Sequence, residues 1–553
     1  MTMKKILAAM LVASLAATAM VSCGKKETES SSTPESSKTE SSDAASTDEG
    51  DAEPAGVTYP LEGDNSITYW LPLNSNVSAG SASMNDTPLK TALDAATGIT
   101  VEYIHPAQGT EQESLNLLLS SGELPDIVET TWVSRAGGPE LAFKSKQLVA
   151  LNEHMAAWAP DYTAYLEANP DIDKMVRTDE GNYFGFPFIR GAEELMVFYG
   201  PIVRQDWLEE LGIEEPTTIA EWYDMLTAFK NEKGATAPLT QNGVDLSMFD
   251  YGSPFVGAYG VTLGFSLNDA GEIIYGPVQP EFKEFLAEMA KWYAEGLIDP
   301  NFYTNDRATW QANMLNDLSG ATVGYSGSGI GTLLPALQEV TPTAELAGTK
   351  YPSLVEGENA PLGQKDTPFM SSYQVAGVTP SGNEELAFKF LNFGYTEAGT
   401  TIYNFGVEGE SYTMVDGEPI FVEAISEPGE GKSMAQAMAQ YTRSCYSGPF
   451  VQALGYYEQY MKLDVQKEAI ADWKEHDSTK YALPPITPTE DESKEFATIQ
   501  TNMNAWRNEW VIGAITGANS LDDFDAFVAE MENIGLSRAL EIQEAALERY
   551  NNR

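Results

Sequence analysis

The sequence predicts an α/β protein whose body forms two lobes and ends in a helical C-terminal section. Strand-like and helix-like segments alternate from residue 67 onward, and the same alternation returns after residue 218. The segment 489–553 contains helical patterns alone. A body of roughly 500 residues is also longer than most single domains, which favours more than one core.

The first alternation begins with a predicted strand over 67–70. Thr87 and Pro88 are typical of a helix N-cap and first turn, and Gly98 is typical of the end of that helix. A strand over 99–104, a helix over 111–121 and a strand over 125–129 follow. Because β-α-β connections join parallel strands with a fixed hand, this order predicts a parallel sheet.

The second alternation begins at Thr218 and Glu221, whose spacing indicates a capping box before a helix over 219–230. Apolar residues at helical spacing predict further helices around 282–293 and 310–318, followed by a strand over 321–325. At the end of the chain, the same reasoning predicts helices over about 489–512, 521–533 and 537–550.

The N-terminus has the layout of an export signal over residues 1–22, with Lys4 and Lys5 before an apolar stretch. The sequence Met20-Val-Ser-Cys23 resembles the bacterial lipobox, which implies a lipid, palmitate included, on Cys23. Residues 24–56 contain no Ile, Leu, Val, Met or aromatic residue. Such a composition cannot offset the entropy of ordering, so 23–56 is predicted to be a lipidated, disordered tether.

The chain carries 82 acidic and 32 basic residues, a formal net charge of −50. Nucleic acid and anionic membranes need cationic patches, so both are disfavoured as partners, and contact with the membrane is expected only through the lipid. The protein has two cysteines and three scattered histidines. This composition predicts no intramolecular disulfide beside a lipidated Cys23, no metal site and no cofactor.

Motifs for catalysis are missing from the sequence. Gly324-Tyr-Ser-Gly-Ser328 fails the nucleophile-elbow pattern at its last position, and Gly327-Ser-Gly-Ile-Gly331 fails the dinucleotide fingerprint. Neither a Walker A motif nor an H-E-x-x-H motif occurs. Among 82 acidic residues a catalytic pair of carboxylates could still be present. A surface glycoside hydrolase therefore stays open as an alternative to a binding protein.

Several segments resemble family 1 extracellular solute-binding lipoproteins of carbohydrate ABC importers, in the large branch found in Firmicutes. The resemblance spans about 60–553, and the layout is similar to that of maltodextrin-binding protein. The segments that carry it are Val203–Gly212, Pro216–Lys230, Glu295–Phe302, Phe390–Glu397 and Tyr403–Tyr412.

This resemblance implies a periplasmic-binding-protein-like Venus flytrap of type II. Its lobes would comprise 57–190 plus about 366–430, and about 191–365 plus 431–553, with crossings near 184–190, 367–378 and 420–435. It also implies a monomeric, non-enzymatic receptor, lipid-anchored on the extracellular face of the cell membrane. The receptor would pass a sugar or oligosaccharide to ABC permease subunits. A receptor of the same fold for a peptide or another solute is a further alternative.

The expected ligand site lies where strands end, because open α/β sheets bind ligands there. Sugar rings stack on aromatic side chains, and their hydroxyl groups bond to charged and amide groups. Trp132 is the leading candidate. The predicted ligand-binding residues are Tyr69, Trp70, Thr131 and Trp132 after strands of the first lobe, Tyr325 and Ser326 in the second, and Arg190, Phe369, Tyr373, Glu408 and Glu410 near the crossings.

Overall fold

The computed structural model of the chain describes residues 56–241, 252–429 and 432–553, together with residues 243, 246 and 249. The predicted signal peptide, Cys23 and the tether up to residue 55 lie outside the described residues. The residues from 56 onward belong to one compact unit. Within the described ranges, no helix combines the length and the apolar content needed to cross a membrane.

The strands and helices alternate over most of the described chain. The strands are β1 Asn65–Trp70, β2 Ile99–Ile104, β3 Ile127–Thr130, β4 Phe186–Pro187, β5 Ile189–Arg190, β6 Tyr199–Arg204, β7 Phe265–Leu267, β8 Ile273–Tyr275, β9 Ala321–Tyr325, β10 Leu346–Gly348, β11 Val375–Val378, β12 Tyr412–Val415, β13 Glu418–Phe421 and β14 Val451–Gln452. The α-helices of the first half are α1 Ser75–Ser78, α2 Pro88–Thr97, α3 Glu111–Ser121, α4 Gly138–Lys144, α5 Met155–Trp158, α6 Pro160–Ala168, α7 Pro170–Met175, α8 Gln205–Leu211 and α9 Ile219–Glu232. Those of the second half are α10 Pro280–Ala294, α11 Arg307–Leu315, α12 Gly331–Val340, α13 Glu384–Asn392, α14 Glu397–Phe405, α15 Glu423–Ser426, α16 Met434–Met438, α17 Leu454–Tyr460, α18 Asp464–Trp473, α19 Glu490–Thr516, α20 Phe524–Ile534 and α21 Leu536–Asn551.

A five-stranded sheet in the order β2-β1-β3-β11-β4 forms the centre of the first lobe. β1 pairs in parallel with β2 and β3, and β11 runs antiparallel to β3 and β4. The predicted β-α-β-α-β order is therefore confirmed. Thr87 caps α2 through its side chain, and Gly98 ends that helix with φ 70°, a conformation that glycine adopts without strain.

A three-stranded antiparallel sheet in the order β10-β6-β9 forms the centre of the second lobe. The predicted capping box is present: the Thr218 side chain accepts from the Glu221 N–H, and Glu221 accepts from the Thr218 N–H. The helix predicted over 310–318 begins and ends three residues earlier, at Arg307–Leu315. It ends at Leu315 because Asp317 takes a left-handed φ of 57°, which leaves Leu318 exposed.

The buried apolar side chains form three clusters. One covers the five-stranded sheet and draws on 67–189, 369–403, Ala439 and Phe450. The other two cover the three-stranded sheet, one including Val203 and the other Ile202 and most buried apolar residues of 405–438. Each sheet thus has its own core, which is the two-lobed layout that the sequence predicts.

The helices α19 to α21 form the predicted helical C-terminal section. Phe496, Trp510, Phe527 and Ile542 from these helices belong to the core that includes Val203. The section therefore packs on the second lobe. Its apolar spacing marks a packing face, as the sequence indicates.

Candidate functional site

Three segments of the chain meet at β5, two of them near the predicted crossings at 184–190 and 367–378. β5 and β14 pair in parallel, with Ile189 opposite Val451 and Arg190 opposite Gln452. The Arg190 N–H donates to the Pro368 carbonyl oxygen at 3.0 Å, and the Gly191 N–H donates to the Gln452 carbonyl oxygen at 3.1 Å. We call 189–191, 366–373 and 451–452 the crossing region. Backbone hydrogen bonds hold its three segments in register.

The Arg190 side chain is the hub of the crossing region. Its Nε donates to Tyr373 Oη at 2.7 Å, Nη1 to Gln452 Oε1 at 3.2 Å and Nη2 to Asp366 Oδ2 at 3.5 Å. The Tyr373 hydroxyl in turn donates to Asp366 Oδ2 at 2.5 Å. Burial lowers the pKa of Arg190, but Tyr373 and Asp366 raise it by more, so the net shift is upward. One charged guanidinium thus ties together all three segments.

An aromatic stack extends from Arg190 into the second lobe. The guanidinium carbon lies 4.6 Å from the centre of the Phe198 ring. Phe198 lies parallel to Tyr325, with the ring centres 6.0 Å apart and the planes 4° apart. Tyr199 meets Tyr325 edge-on at 4.9 Å. Tyr325 ends β9 and keeps 44% of its surface exposed, so the stack presents an aromatic ring supported from behind.

Ser326, the neighbour of Tyr325, is fully buried inside the second lobe. Its hydroxyl contacts Met461 Sδ at 3.4 Å, and its carbonyl oxygen accepts from Gln466 Nε2 at 2.8 Å. The carbonyl oxygen of Ser328 accepts from Arg307 Nη2 at 3.1 Å. These bonds fix the backbone turn that follows Tyr325 and leave the Ser326 side chain inside the lobe.

The predicted residues after the first-lobe strands are mostly interior. Trp132 is fully buried, and its indole N–H donates to the Val128 carbonyl oxygen at 3.1 Å. Tyr69 and Trp70 are buried as well, whereas Thr131 is half-buried. The Trp132, Tyr69 and Trp70 side chains therefore pack in the first-lobe core and present almost no surface to a ligand in this structure.

A buried ion pair that the sequence does not reveal lies at the same end of the first-lobe sheet. Glu129 accepts two hydrogen bonds from Arg443, at 2.6 and 3.0 Å, and one from the Tyr69 hydroxyl. Burial lowers the pKa of Arg443, but Glu129 and Tyr69 raise it by more, to well above its usual range. Because the partners are 314 residues apart, no local pattern could have identified them.

The other predicted residues lie in different environments. Phe369 is fully buried and packs on Tyr373 with ring centres 6.4 Å apart. Glu408 and Glu410 are exposed in the turn that leads into the β12–β13 hairpin. The structure therefore brings Arg190, Phe369 and Tyr373 together in the crossing region, with Tyr325 joined to them through Phe198. In the described part of the chain, no group of three or more His, Cys, Asp or Glu side chains could hold a metal ion.

The chain was compared with known families and with individual proteins. The model of the bacterial extracellular solute-binding protein family matches residues 81–401. The fructooligosaccharide ABC transporter substrate-binding protein FusA of Streptococcus pneumoniae is 22% identical, over 98% of this chain and 97% of FusA. Lipoprotein LipO of Bacillus subtilis is 24% identical over 60% of this chain and 65% of LipO.

Solved structures share the fold at low sequence identity. FusA of S. pneumoniae in complex with kestose superposes with a TM-score of 0.68 at 17% identity, over 88% of this chain and 100% of FusA. The HMO-binding solute-binding protein of Bifidobacterium longum infantis gives 0.71 at 17% identity, over 88% of this chain and 99% of that protein. The predicted two-lobed α/β fold is confirmed by these similarities.

Proposed function

Since the chain belongs to the bacterial extracellular solute-binding protein family, we propose that it is the receptor of an ABC importer for a sugar or oligosaccharide. It captures the solute between its lobes, performs no chemistry on it and delivers it to membrane permease subunits. The observation that carries this proposal is the half-exposed Tyr325 ring, supported by Phe198 and Arg190. FusA and the HMO-binding protein, both named for saccharide ligands, support it further.

The chemistry of the crossing region suits a saccharide. A pyranose or furanose ring presents C–H groups that pack on an aromatic face, as Tyr325 offers. Sugar hydroxyl groups both donate and accept hydrogen bonds, and charged partners make the stronger ones. Arg190 and Asp366 provide a donor and an acceptor of that kind next to the stack. Of the predicted residues, we keep Tyr325, Arg190, Tyr373 and Thr131 as the proposed ligand contacts.

The lobes would move about the crossing region, which we propose as the hinge. The ranges 57–190 plus about 366–430, and about 191–365 plus 431–553, remain the proposed division of the chain. The pairing of β5 with β14 supports the crossing near 184–190. Near the last proposed crossing the chain contacts both lobes. Arg443 bonds to the first lobe, whereas most buried apolar residues of 405–438 pack with the second.

We also propose that Cys23 carries the lipid that anchors the receptor, as a monomer, on the extracellular face of the membrane. Its family is extracellular, and the relative LipO is named a lipoprotein. Cells grown with labelled palmitate should incorporate label into the wild-type protein and none into Cys23→Ala. Equal labelling of both proteins would contradict the anchor.

A thermal-shift screen over mono- and oligosaccharides tests the function, with kestose as the first compound and peptides as the comparison set. A solute present at a hundredfold excess over its Kd should stabilise the protein by about 2.7 kcal/mol. Stabilisation by peptides alone would favour a receptor for another solute. Release of shorter products from a bound oligosaccharide would instead favour a glycoside hydrolase.

Tyr325→Ala tests the site. Loss of the stacking face should weaken saccharide affinity about tenfold, which corresponds to roughly 1.4 kcal/mol. Tyr303→Ala is the matched control, since Tyr303 is a second-lobe tyrosine of similar exposure, 39% against 44%. Equal affinities of the two variants, measured by calorimetry, would remove Tyr325 from the site.

A further inference from the structure

The C-terminal helical section contacts the first lobe as well as the second. Leu536, Ala539 and Ile542 of α21 belong to the core of the second lobe. The far end of the same helix reaches the segment 174–180, which begins in the last turn of α7 in the first lobe. Ile172 and Val176, on either side of the start of that segment, belong to the first-lobe core. The helix therefore spans the two cores at a place separate from the crossing region.

Asp179 is the centre of this second connection. Its Oδ2 accepts from Arg549 Nε at 2.8 Å, and its Oδ1 accepts from Arg553 Nε at 2.8 Å and pairs with Arg553 Nη2 at 2.7 Å. The Arg553 side chain is only 2% exposed. It also donates to the carbonyl oxygens of Lys174 and Arg177, at 3.2 and 2.6 Å. One carboxylate of the first lobe thus holds two guanidinium groups of the helical section.

Weaker contacts surround these bonds. Lys144 of α4 pairs with Glu490 at the start of α19 at 3.0 Å, and the Lys174 ammonium lies 4.9 Å from the Tyr550 ring centre. A cavity of about 540 Å³ lies between α4, the turn 178–180 and the ends of α19 and α21. The lobes are therefore joined here by polar side chains around a gap, and not by a continuous apolar interface.

Movement of the lobes would change the distances between the charged groups of this connection. Asp179 and the two arginines belong to different lobes, so a rotation of the lobes about the crossing region changes their separation. A rotation that separates them breaks the Asp179 ion pairs and the bonds from Arg553 to the carbonyl oxygens of Lys174 and Arg177. These bonds therefore stabilise the present arrangement relative to arrangements in which the groups are separated.

We propose that Asp179, Arg549 and Arg553 form an electrostatic clasp that biases the protein toward the lobe arrangement seen here. The clasp sets the population of open and closed states before any solute binds. It rests on the two-lobed fold and not on the solute, so a failed saccharide screen would leave it standing.

The interlobe distance in solution tests the clasp. Leu117 in α3 of the first lobe and Val340 in α12 of the second are both 66% exposed and suit spin labels attached through cysteine. In the full chain with Cys23 and Cys445 replaced by Ser, double electron–electron resonance measures the distance between the two labels. We expect Asp179→Asn to shift the distribution away from that of the wild type and to broaden it. Should this variant not fold, Arg549→Gln removes one of the two pairs from the other side, together with the Arg549–Glu492 pair inside the helical section.

Glu495→Gln is the matched control. It removes an arginine–carboxylate pair, with Arg538 at 3.1 Å, that joins α19 to α21 without reaching the first lobe. Its distance distribution should equal that of the wild type. In 1 M salt, where the Debye length falls to about 3 Å, the wild type should move toward Asp179→Asn. A distribution for Asp179→Asn that matches Glu495→Gln, at low and at high salt, would overturn the clasp.

Discussion

The crossing region and the clasp both join the lobes through arginine and carboxylate groups, yet they are built in opposite ways. In the crossing region one arginine, Arg190, is shared by a carboxylate, a phenol, an amide and an aromatic ring. In the clasp one carboxylate, Asp179, is shared by two arginines. The first arrangement also has backbone hydrogen bonds between its segments, and the second connects the lobes mainly through side chains.

This difference predicts different roles for the crossing region and the clasp. Contacts at an axis change little when two bodies rotate about it, so the crossing region can stay intact through opening and closing. The clasp joins residues of different lobes, so it breaks if opening or closing separates Asp179 from the two arginines. Arg190 and Asp366 are 16% and 11% exposed, against 27% and 18% for Arg549 and Asp179 in the clasp and 57% and 39% for the neighbouring Lys144 and Glu490. We therefore expect the crossing region to contribute stability and the clasp to contribute a bias.

Arg190→Met should give the largest effect. It leaves Asp366 and Tyr373 largely buried without their cation, and we expect the free energy of unfolding to fall by about 3 kcal/mol. The matched change in the clasp, Arg549→Met, should lower it by about 1 kcal/mol or less. Urea denaturation measures both. Equal losses would abolish the distinction between a structural hub and a weak clasp.

Gly191→Ala should give the next largest effect, through the backbone of the crossing region. An added Cβ would lie 2.5 Å from the Gln452 carbonyl oxygen, so β5 and β14 would have to separate. We expect a loss of about 1–3 kcal/mol, as for other overpacked sites. Gly264→Ala is the control, because an added Cβ there meets no atom within 4 Å. If the two variants are equally stable, the close pairing of the crossing strands is not needed.

The smallest expected effect is the change in these stability differences with salt concentration. The difference in unfolding free energy between the wild type and Arg549→Met, whose ion pairs are partly exposed, should be about 1 kcal/mol or less at 0.1 M salt and should shrink at 1 M. The difference caused by Arg190→Met should change less, because buried pairs are screened less. Unfolding curves at both ionic strengths measure these differences. A parallel salt response of the two variants would contradict the contrast in exposure.

Much of the fold could be predicted, and less of the site. The caps at Thr87 and Thr218 were recognisable because a cap is a contact within four residues of the chain. Tyr325 was identifiable because it follows a strand. Trp132 follows a strand too, but its burial depends on the pairing of β3 with the neighbouring β11, where Gly377 leaves room for the indole. Nothing near Trp132 in the sequence distinguishes a buried side chain after a strand from an exposed one.

The sequence by itself determined the alternating strands and helices, the two-lobed α/β class and the helical C-terminal section, because backbone hydrogen bonding and apolar periodicity are short-range. Only the tertiary structure decided which charges meet. Arg443 finds Glu129 across 314 residues, and Arg549 finds Asp179 across 370. With 82 acidic residues in the chain, no local signal marks the few that pair. Their partners are fixed by the packing of distant segments, which brings particular charges to the same place.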